Sequence, residues 1–190
     1  MSDSLQSSLG DRALLLIERI ARLARAADHA GGLNPAQAEA LRYLARANRF
    51  SRHPAALAVY MSATRGTASQ TLIALEEKGL IERRPDPRDG RGVLVALTKK
   101  GEAKIRDSAT RDLAAAIEAA GEAGPLAVRL EGALRAALDA RGGRAFGVCR
   151  TCRHFRADQR KGRTPHHCAL LNEPLGETDA RAICVEQEAA

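Results

Sequence analysis

The chain has 190 residues, enough for one core-bearing domain of ordinary size and an appendage but too few for two full domains of that size. Aromatic residues make up only 3% of it against 45% hydrophobic residues in total, which favours a mainly helical protein over an all-β one. The net charge of +7 makes a polyanion the expected macromolecular partner, because neutralising phosphates releases counterions. Charge alone is equally compatible with a basic protein that has no such partner.

The N-terminal residues lack the basic region and apolar run of a secretory signal. No run of about 18 uncharged apolar residues occurs, so a membrane span is not expected. We therefore expect a cytoplasmic protein. In that reducing compartment clustered cysteines are better interpreted as metal ligands than as disulfides.

Two amphipathic helices are predicted first in the chain. Apolar residues recur at helical spacing over residues 10–29. A second helix is expected over residues 35–48, because Asn34 is a typical N-cap, Pro35 suits the first helical position and Gln37 completes a capping box. The expected inward face of this second helix comprises Ala38, Leu41, Leu44 and Ala45.

A helix-turn-helix is predicted next. Pro54 opens a short helix, and Thr64 caps a second helix of about residues 64–78. The second helix has one apolar face, while its leading half is otherwise small and polar. This arrangement suits a recognition helix that enters a major groove. The apolar face consists of Ala68, Leu72 and Leu75.

A β-hairpin, the wing, is expected over residues 80–97. Gly79 suits a left-handed helix C-cap, and the apolar residues 80–81 and 93–97 are predicted to be strands. The residues 85–91 between them are rich in proline and arginine and are expected to form the tip rather than strand interior.

The C-terminal part is predicted to contain two more helices, over residues 99–120 and 126–140, before a linker at residues 141–144. The apolar terminal helices exceed what a small core needs, which favours a homodimer over a closed monomeric helical cap. We therefore divide the chain into a DNA-binding and dimerisation domain, 1–143, and an extension, 144–190.

In this order the motifs resemble the MarR family of transcriptional regulators, over roughly residues 14–138. The resemblance implies a mainly α fold with a small β wing, in which a winged helix-turn-helix is flanked by N- and C-terminal dimerisation helices. It also implies a dimeric, non-enzymatic regulator whose recognition helices enter successive major grooves of double-stranded DNA. The matching segments are Leu57-Ala58-x-x-Met61, residues 64–75, residues 75–81, the wing residues 86–91 and Leu97-Thr98-x-x-Gly101.

The resemblance also assigns DNA contacts to the wing and to the recognition helix. Arg88 would enter the minor groove, and Asp86 would orient it. Arg84 or Arg91 would contact phosphate. On the recognition helix, hydroxyl, amide and guanidinium groups suit phosphate and base-edge contacts. The candidates there are Arg65, Thr67, Ser69 and Gln70.

Family members often bind small aromatic effectors, so a small-molecule effector is a possible partner of this chain. No residue pattern marks a pocket for one. The aromatic residues of the region are more simply interpreted as packing or loop residues. They are Tyr43, Phe50, His53 and Tyr60.

All four cysteines lie in the extension, with the spacing C-x2-C-x15-C-x15-C: Cys149, Cys152, Cys168 and Cys184. Four thiolates complete either a tetrahedral zinc site or one iron-sulfur cluster. We favour a [4Fe-4S] cluster, because only the first pair is tightly spaced, whereas structural zinc sites commonly combine two such pairs. A segment this small needs a metal to fold.

Three histidines, His154, His166 and His167, keep a zinc site with mixed ligands open. Apolar residues near the cysteines are expected to shield the centre: Phe146, Phe155, Leu170, Leu171 and Ile183.

The sequence thus predicts a regulator, with repression as the expected mode, whose cysteine centre senses redox state, iron or a reactive gas. A regulator with a structural zinc tail and an aromatic effector is the alternative. A C-x2-C thiol oxidoreductase is a more distant one, since no βαβ pattern surrounds the motif.

Overall fold

The computed structural model describes residues 8–87, 89–106 and 110–190, with the backbone alone at Ala30, Asp89, Gly90 and Arg91. The first part of the chain, which we call the lobe, contains α1 (Leu9–Ala30), α2 (Pro35–Arg46), α3 (Pro54–Tyr60), α4 (Arg65–Glu77), β1 (Ile81–Asp86), β2 (Asp89–Leu97), α5 (Lys99–Arg106), α6 (Thr110–Ala119) and α7 (Ala123–Asp139). The chain is mainly helical with a small β wing, as predicted.

The helix starts follow the predicted capping chemistry. Asn34 Oδ1 accepts the backbone N–H of Gln37 at 2.8 Å, and the Gln37 side chain returns to the backbone N–H of Asn34. Thr64 Oγ1 accepts the N–H of Thr67 at 3.1 Å at the start of α4. These bonds satisfy N–H groups that the first helical turn leaves without partners. Both caps were predicted correctly.

The core of the lobe lies between α2, α3, α4 and the wing. The predicted inward residues of α4 are all buried, as are three of the four predicted for α2. The prediction for Ala45 is wrong, because it is exposed, whereas Ala40 and Tyr43 are buried on α2 instead. The buried face of α2 is therefore wider than predicted and does not extend to Ala45. The largest buried side chains of this core are Tyr43, Leu41, Leu44, Leu57, Leu72, Leu75, Ile81 and Val95.

The wing is an antiparallel hairpin whose register runs from Ile81 opposite Leu97 to Pro85 opposite Val93. The predicted tip was too long, since β1 continues to Asp86 and β2 begins at Asp89. A proline is tolerated in a two-stranded hairpin because each strand has a free edge, where its missing N–H costs no ladder bond. The register shifts between Pro85 and Asp86, as at a bulge.

The junction from the wing into α5 explains the Leu97-Thr98-x-x-Gly101 motif. Thr98 Oγ1 donates to the carbonyl of Gly79 at 2.7 Å and accepts the N–H of Gly101 at 3.1 Å. A Cβ on Gly101 would lie 2.0 Å from the carbonyl oxygen of Leu80. Gly79 itself has φ +66°, the left-handed conformation predicted for a C-cap.

The outer helices α1 and α7 expose much of their apolar surface. Residues 107–109 lie outside the described part of the chain, so the predicted continuity of the 99–120 helix stays a prediction. Asp28 on α1 forms an ion pair with Arg42 on α2 of the same chain, with 2.6 Å between the charged atoms. No described helix is long and apolar enough to cross a membrane. The exposed apolar residues include Leu14, Leu15, Leu16, Ile17, Ile20 and Leu23 on α1 and Leu126, Val128, Leu130 and Leu134 on α7.

Residues 144–190, which we call the cysteine tail, form short strands and turns. They comprise β3 (Gly147–Val148), a 3-10 turn (Cys149–Thr151), β4 (Phe155–Arg156), β5 (His166–Cys168), β6 (Glu173–Leu175), α8 (Glu177–Arg181) and β7 (Ile183–Cys184). β3 pairs with β7, and β4, β5 and β6 form a second antiparallel sheet. The tail packs on the lobe, where Phe146 meets the rings of Tyr43 and Tyr60 edge-on at 5.9 and 5.2 Å between ring centroids.

Candidate nucleic-acid interface and cysteine cluster

The leading half of α4 presents most of its predicted DNA contacts to solvent. Arg65, Thr67 and Gln70 are exposed, and Ser69 is half-buried. The Thr67 hydroxyl lies 2.9 Å from that of Thr64, so it takes part in the helix cap as well as facing outward. The opposite face is buried in the lobe, which leaves this polar half available to a ligand.

The wing places further cations beside α4. Arg84 is exposed and pairs with Glu82 on the same strand. Arg83 lies 3.4 Å from Glu76, which ties the base of the wing to the end of α4. Arg88 lies outside the described residues and Arg91 is described in backbone only, so their proposed DNA contacts stay predictions, as does the orientation of Arg88 by Asp86.

A cleft of about 600 Å³ joins the start of α4 to the part of the wing near its tip, at Asp86, Gly92 and Val93. Arg65 and Asp86 line it together, so two of the predicted DNA contacts share one surface. Leu171 and Glu186 of the cysteine tail line the same cleft. The tail therefore reaches the side of the lobe that carries the predicted interface, which the sequence did not indicate.

The four cysteines are all free thiols, and Cys149 and Cys184 are buried. The predicted tight turn is present, since the N–H of Cys152 donates to the carbonyl of Cys149 at 3.0 Å. The thiol contact, however, joins Cys149 to Cys184 across the β3–β7 pair rather than to Cys152. Cys168 is near enough to affect the ionisation of Cys149.

Ionisation of this thiol pair is asymmetric. The pKa of Cys184 is lowered to about 6, first by a hydrogen bond from Cys149, and then by bonds from Asn48, the backbone N–H of Glu186 and Ser51, which together outweigh the opposing effect of burial. The pKa of Cys149 is raised, first by its hydrogen bond to Cys184 and then by burial. Of the two thiols, Cys184 is therefore the one that ionises more readily.

The structure supplies suitable donor atoms for the predicted metal centre, but it does not arrange them as a metal site. Across residues 8–87, 89–106 and 110–190, no group of three or more His, Cys, Asp or Glu side chains is arranged to hold a metal ion. The donor set remains chemically suitable, because two buried sulfurs already meet and the half-buried Cys152 and Cys168 lie on adjoining turns and strands. Metal binding here requires a rearrangement of the ligand side chains.

The three histidines differ in whether their ring nitrogens are available as metal ligands. His166 Nε2 lies 2.9 Å from Glu177 Oε1 and its Nδ1 accepts the N–H of Asp158, so both ring nitrogens are engaged. His167 Nδ1 is buried and forms no hydrogen bond within the described part of the chain. His154 Nε2 also makes no hydrogen bond there, but it lies 3.4 Å from Glu188 Oε2. Of the three, His167 is therefore the best candidate for a mixed site.

The predicted apolar shield is partial. Leu170 is 45% exposed, because it lies at the turn between β5 and β6. Phe155 packs against the ring of His166, with 5.0 Å between ring centroids. Phe146 packs on tyrosines of the lobe, and Ile183 on the lobe core.

Sequence reasoning missed the polar residues that attach the tail to the lobe. Asn48, Arg49 and Ser51 lie between α2 and α3, and each contacts the tail. In the sequence they have the composition of an ordinary loop, and no local signal relates them to cysteines about 100 positions away. Tyr43 and Tyr60, in contrast, are packing residues, as expected.

The fold and the exposed polar half of α4 define a winged helix-turn-helix protein. Residues 31–92 match the model of the MarR family. The structure is similar to CouR from Rhodococcus jostii RHA1 bound to p-coumaroyl-CoA, with a TM-score of 0.59, 21% identity, and coverage of 72% of this chain and 95% of that one. The family match covers α2, the helix-turn-helix and most of the wing, and the solved structure shares the fold.

Two further solved structures share this fold. One is the S. aureus MepR–DNA complex, with a TM-score of 0.56, 18% identity, and coverage of 70% of this chain and 99% of that one. The other is NadR in complex with 4-hydroxyphenylacetate, with a TM-score of 0.53, 21% identity, and coverage of 68% and 92%. A comparison with curated proteins finds no match.

Proposed function

We propose that this protein is a dimeric transcriptional repressor that binds double-stranded DNA through α4 and the wing. The observation that carries the proposal is the exposed row Arg65, Thr67 and Gln70 on α4. Arg65 of this row also shares a cleft with Asp86 near the tip of the wing. The net charge of +7 supports a polyanionic partner. The MepR structure, which has the same fold, is a DNA complex.

Dimerisation is supported by the apolar surface that a single chain leaves uncovered. Leu16 and Ile20 on α1 are 53% and 45% exposed, and Leu134 on α7 is 59% exposed. Exposed apolar surface of this extent is typical of a protein interface. Two copies that bury this surface against each other would present two recognition helices to one DNA duplex.

The DNA proposal is tested with a duplex that the wild-type protein selects from a random pool. We expect Arg65→Ala, Arg84→Ala and Arg88→Ala each to weaken binding about tenfold, and to reduce the slope of log K against log salt by about one per lost phosphate contact. Arg129→Ala on α7 is the charge-matched control, with an expected change of less than about twofold. Equal affinities for all four variants would refute this interface.

For the cysteine tail, we propose that the four cysteines hold a metal centre, with [4Fe-4S] favoured over zinc, whose loss or oxidation alters DNA binding. The support is a set of four free thiols, of which Cys149 and Cys184 are in contact and already accept hydrogen bonds. Bound metal would neutralise the thiolates and bind the tail segments together. It regulates only if it favours one dimer geometry over another.

The metal proposal is tested by purifying the protein without oxygen and measuring its absorption spectrum and its iron, sulfide and zinc contents. A brown protein that contains iron and sulfide supports the cluster. A colourless protein with one zinc per chain supports the structural alternative. A metal-free protein whose four thiols all react with a thiol reagent would refute a metal centre of either kind.

A small aromatic effector is the second candidate for the regulatory signal. CouR and NadR, which share the fold, were solved with p-coumaroyl-CoA and 4-hydroxyphenylacetate. In this chain the 600 Å³ cleft has an apolar lining that includes Val93 and Leu171, with Arg65 at its edge. An aromatic acid that binds there would compete with DNA for Arg65.

A further inference from the structure

A second cleft lies where the cysteine tail meets the end of α2, and its lining shares no residue with that of the cleft beside the wing. Its volume is about 530 Å³, a size typical of small-molecule sites. One wall comes from residues of the segment 45–52, and the other comes from α8 and Ala182 of the tail. The tail wall lies outside residues 31–92, which match the family model, so the cleft depends on the tail of this chain.

Arginines outnumber acidic residues around the cleft. Asp179 Oδ2 lies 3.1 Å from Arg49 Nη1. Glu177 Oε2 lies 2.7 Å from Arg150, which is outside the cleft, and 3.7 Å from Arg181. Both carboxylates are therefore already paired, and they leave part of the positive charge without a counterion. The charged residues that line the cleft are Arg46, Arg49, Arg52, Arg181, Glu177 and Asp179.

Arg46 and Arg52 are the two lining arginines that no carboxylate of the described residues pairs. Arg46 is exposed and forms no hydrogen bond or ion pair with any described residue. Arg52 is half-buried, and its Nε donates to the carbonyl of Ala47 at 3.0 Å. This bond orients the Arg52 side chain at the end of α2 and leaves both of its Nη groups available to a ligand. A guanidinium with available N–H groups matches the oxygens of a phosphate or a carboxylate.

We propose that this cleft binds a small organic dianion, a phosphate monoester or a dicarboxylate, whose charged groups contact Arg46 and Arg52. Two unpaired guanidinium groups in one cleft favour a doubly charged oxyanion over a neutral or cationic molecule. Ala45 and Ala182 supply apolar surface for the carbon part of the ligand, and Thr178 supplies a hydroxyl. Binding needs neither DNA nor a metal on the cysteines, so its failure would leave the proposed function untouched.

A ligand in this cleft would hold the tail to the lobe, because each supplies one wall. A molecule that binds only the closed arrangement stabilises it by mass action. The lobe wall is also connected to the wing, since the backbone carbonyl of Arg52 accepts the N–H of Val95 on β2 at 2.7 Å. We therefore expect the dianion to slow hydrogen exchange in peptides that cover residues 45–52 and 176–182.

Two substitutions in the full-length protein test the site, and a third is the control. Arg46→Gln removes one charge, and the fold should tolerate it because this side chain has no partner among the described residues. Thr178→Glu keeps both arginines but adds a carboxylate on the exposed first turn of α8, where it competes with the ligand for them. Arg160→Gln is the matched control, since Arg160 is an exposed arginine of the tail that does not line the cleft.

Isothermal titration calorimetry at low ionic strength measures the binding of glycerol 3-phosphate, succinate and inorganic phosphate. We expect one of the two organic dianions to bind the wild type at one site per chain, and the tighter of the two identifies the class of ligand. Inorganic phosphate should bind more weakly, because it buries no carbon against the alanines. Arg46→Gln and Thr178→Glu should each weaken binding about tenfold or more, since each disrupts a charge-assisted contact. Arg160→Gln should stay within about twofold of the wild type.

Three results would overturn the proposal. The first is a wild type that binds neither organic dianion with a dissociation constant below about 1 mM. The second is an Arg46→Gln variant with wild-type affinity, which would place the anion elsewhere on this basic protein. The third is equal affinity for inorganic phosphate and for the organic dianions, which would exclude recognition of an organic ligand. Should Arg46→Gln not fold, as judged by circular dichroism, Thr178→Glu decides the second point.

Discussion

The lobe and the cysteine tail are stabilised in different ways. The lobe has a continuous apolar core formed by α2, α3, α4 and the wing, and Val185 is the buried residue that the described tail adds to this cluster. Elsewhere the tail buries Cys149, Leu175, Ala180 and Cys184, together with the polar His166 and Gln187.

This difference indicates that the tail does not fold by apolar packing alone. A segment of this size has too little core for independent stability. The other contributions are its hydrogen bonds to the lobe, the packing of Phe146, Ile183 and Val185 on the lobe core, and the metal that we propose for it. Experiments that distinguish apolar from polar stabilisation therefore test the contrast directly.

The largest expected effect comes from truncating a leucine in each region. Leu72 in α4 and Leu175 in β6 are 1% and 2% exposed, so the two substitutions remove equally buried side chains. We expect Leu72→Ala to lower the free energy of unfolding of the lobe by about 3 kcal/mol, the cost of a lost transfer free energy and a cavity. Leu175→Ala is expected to open the tail alone.

Hydrogen exchange followed by mass spectrometry on lobe and tail peptides measures the two regions separately. The contrast predicts faster exchange throughout the lobe for Leu72→Ala and faster exchange confined to residues 144–190 for Leu175→Ala. Equal acceleration of lobe peptides by both variants would show one cooperative unit, and the contrast would then be wrong.

The next effect concerns the junction between the wing and α5. Gly101→Ala would place a Cβ 2.0 Å from the backbone oxygen of Leu80, which only a backbone shift can relieve. We expect a loss of about 2–3 kcal/mol, the usual cost of overpacking, measured by urea unfolding. Gly66→Ala is the control, since its Cβ would have its nearest neighbour at 3.8 Å. A similar loss of stability in both variants would show that the replacement of a glycine, and not the contact of the new Cβ with Leu80, causes the effect.

The sequence predicted the lobe well because local patterns determine it. Helical periodicity predicted the buried face of α4, and side-chain capping predicted the starts of α2 and α4 at Asn34 and Thr64. The predictions for Ala45 and for Pro85 were wrong because both were made from neighbouring residues in the sequence alone. The edge of a buried face and the length of a hairpin depend on what packs against them.

The tail was predictable only in its cysteine spacing. The turn at Cys149–Thr151 followed from the two-residue gap, but the contact between Cys149 and Cys184 depends on strand pairing that has no local signal. The bond from Asn48 to Cys149 joins residues 101 positions apart. Polar residues in a loop do not reveal such partners, since the same composition is typical of solvated turns.

The smallest expected effect comes from a polar contact that joins the two regions. Ser51 Oγ accepts the backbone N–H of Val185 at 2.9 Å, and the serine is fully buried. Ser51→Ala leaves that N–H without its acceptor, which we expect to cost about 1–2 kcal/mol. The loss should appear as faster exchange of the Val185 amide and of neighbouring tail amides in NMR spectra. Ser69→Ala on α4 is the control, with no expected loss because alanine has the higher helix propensity. If Ser51→Ala left the tail amides as protected as in the wild type, polar attachment would contribute little, and apolar contacts such as that of Phe146 with Tyr60 would have to hold the tail in place.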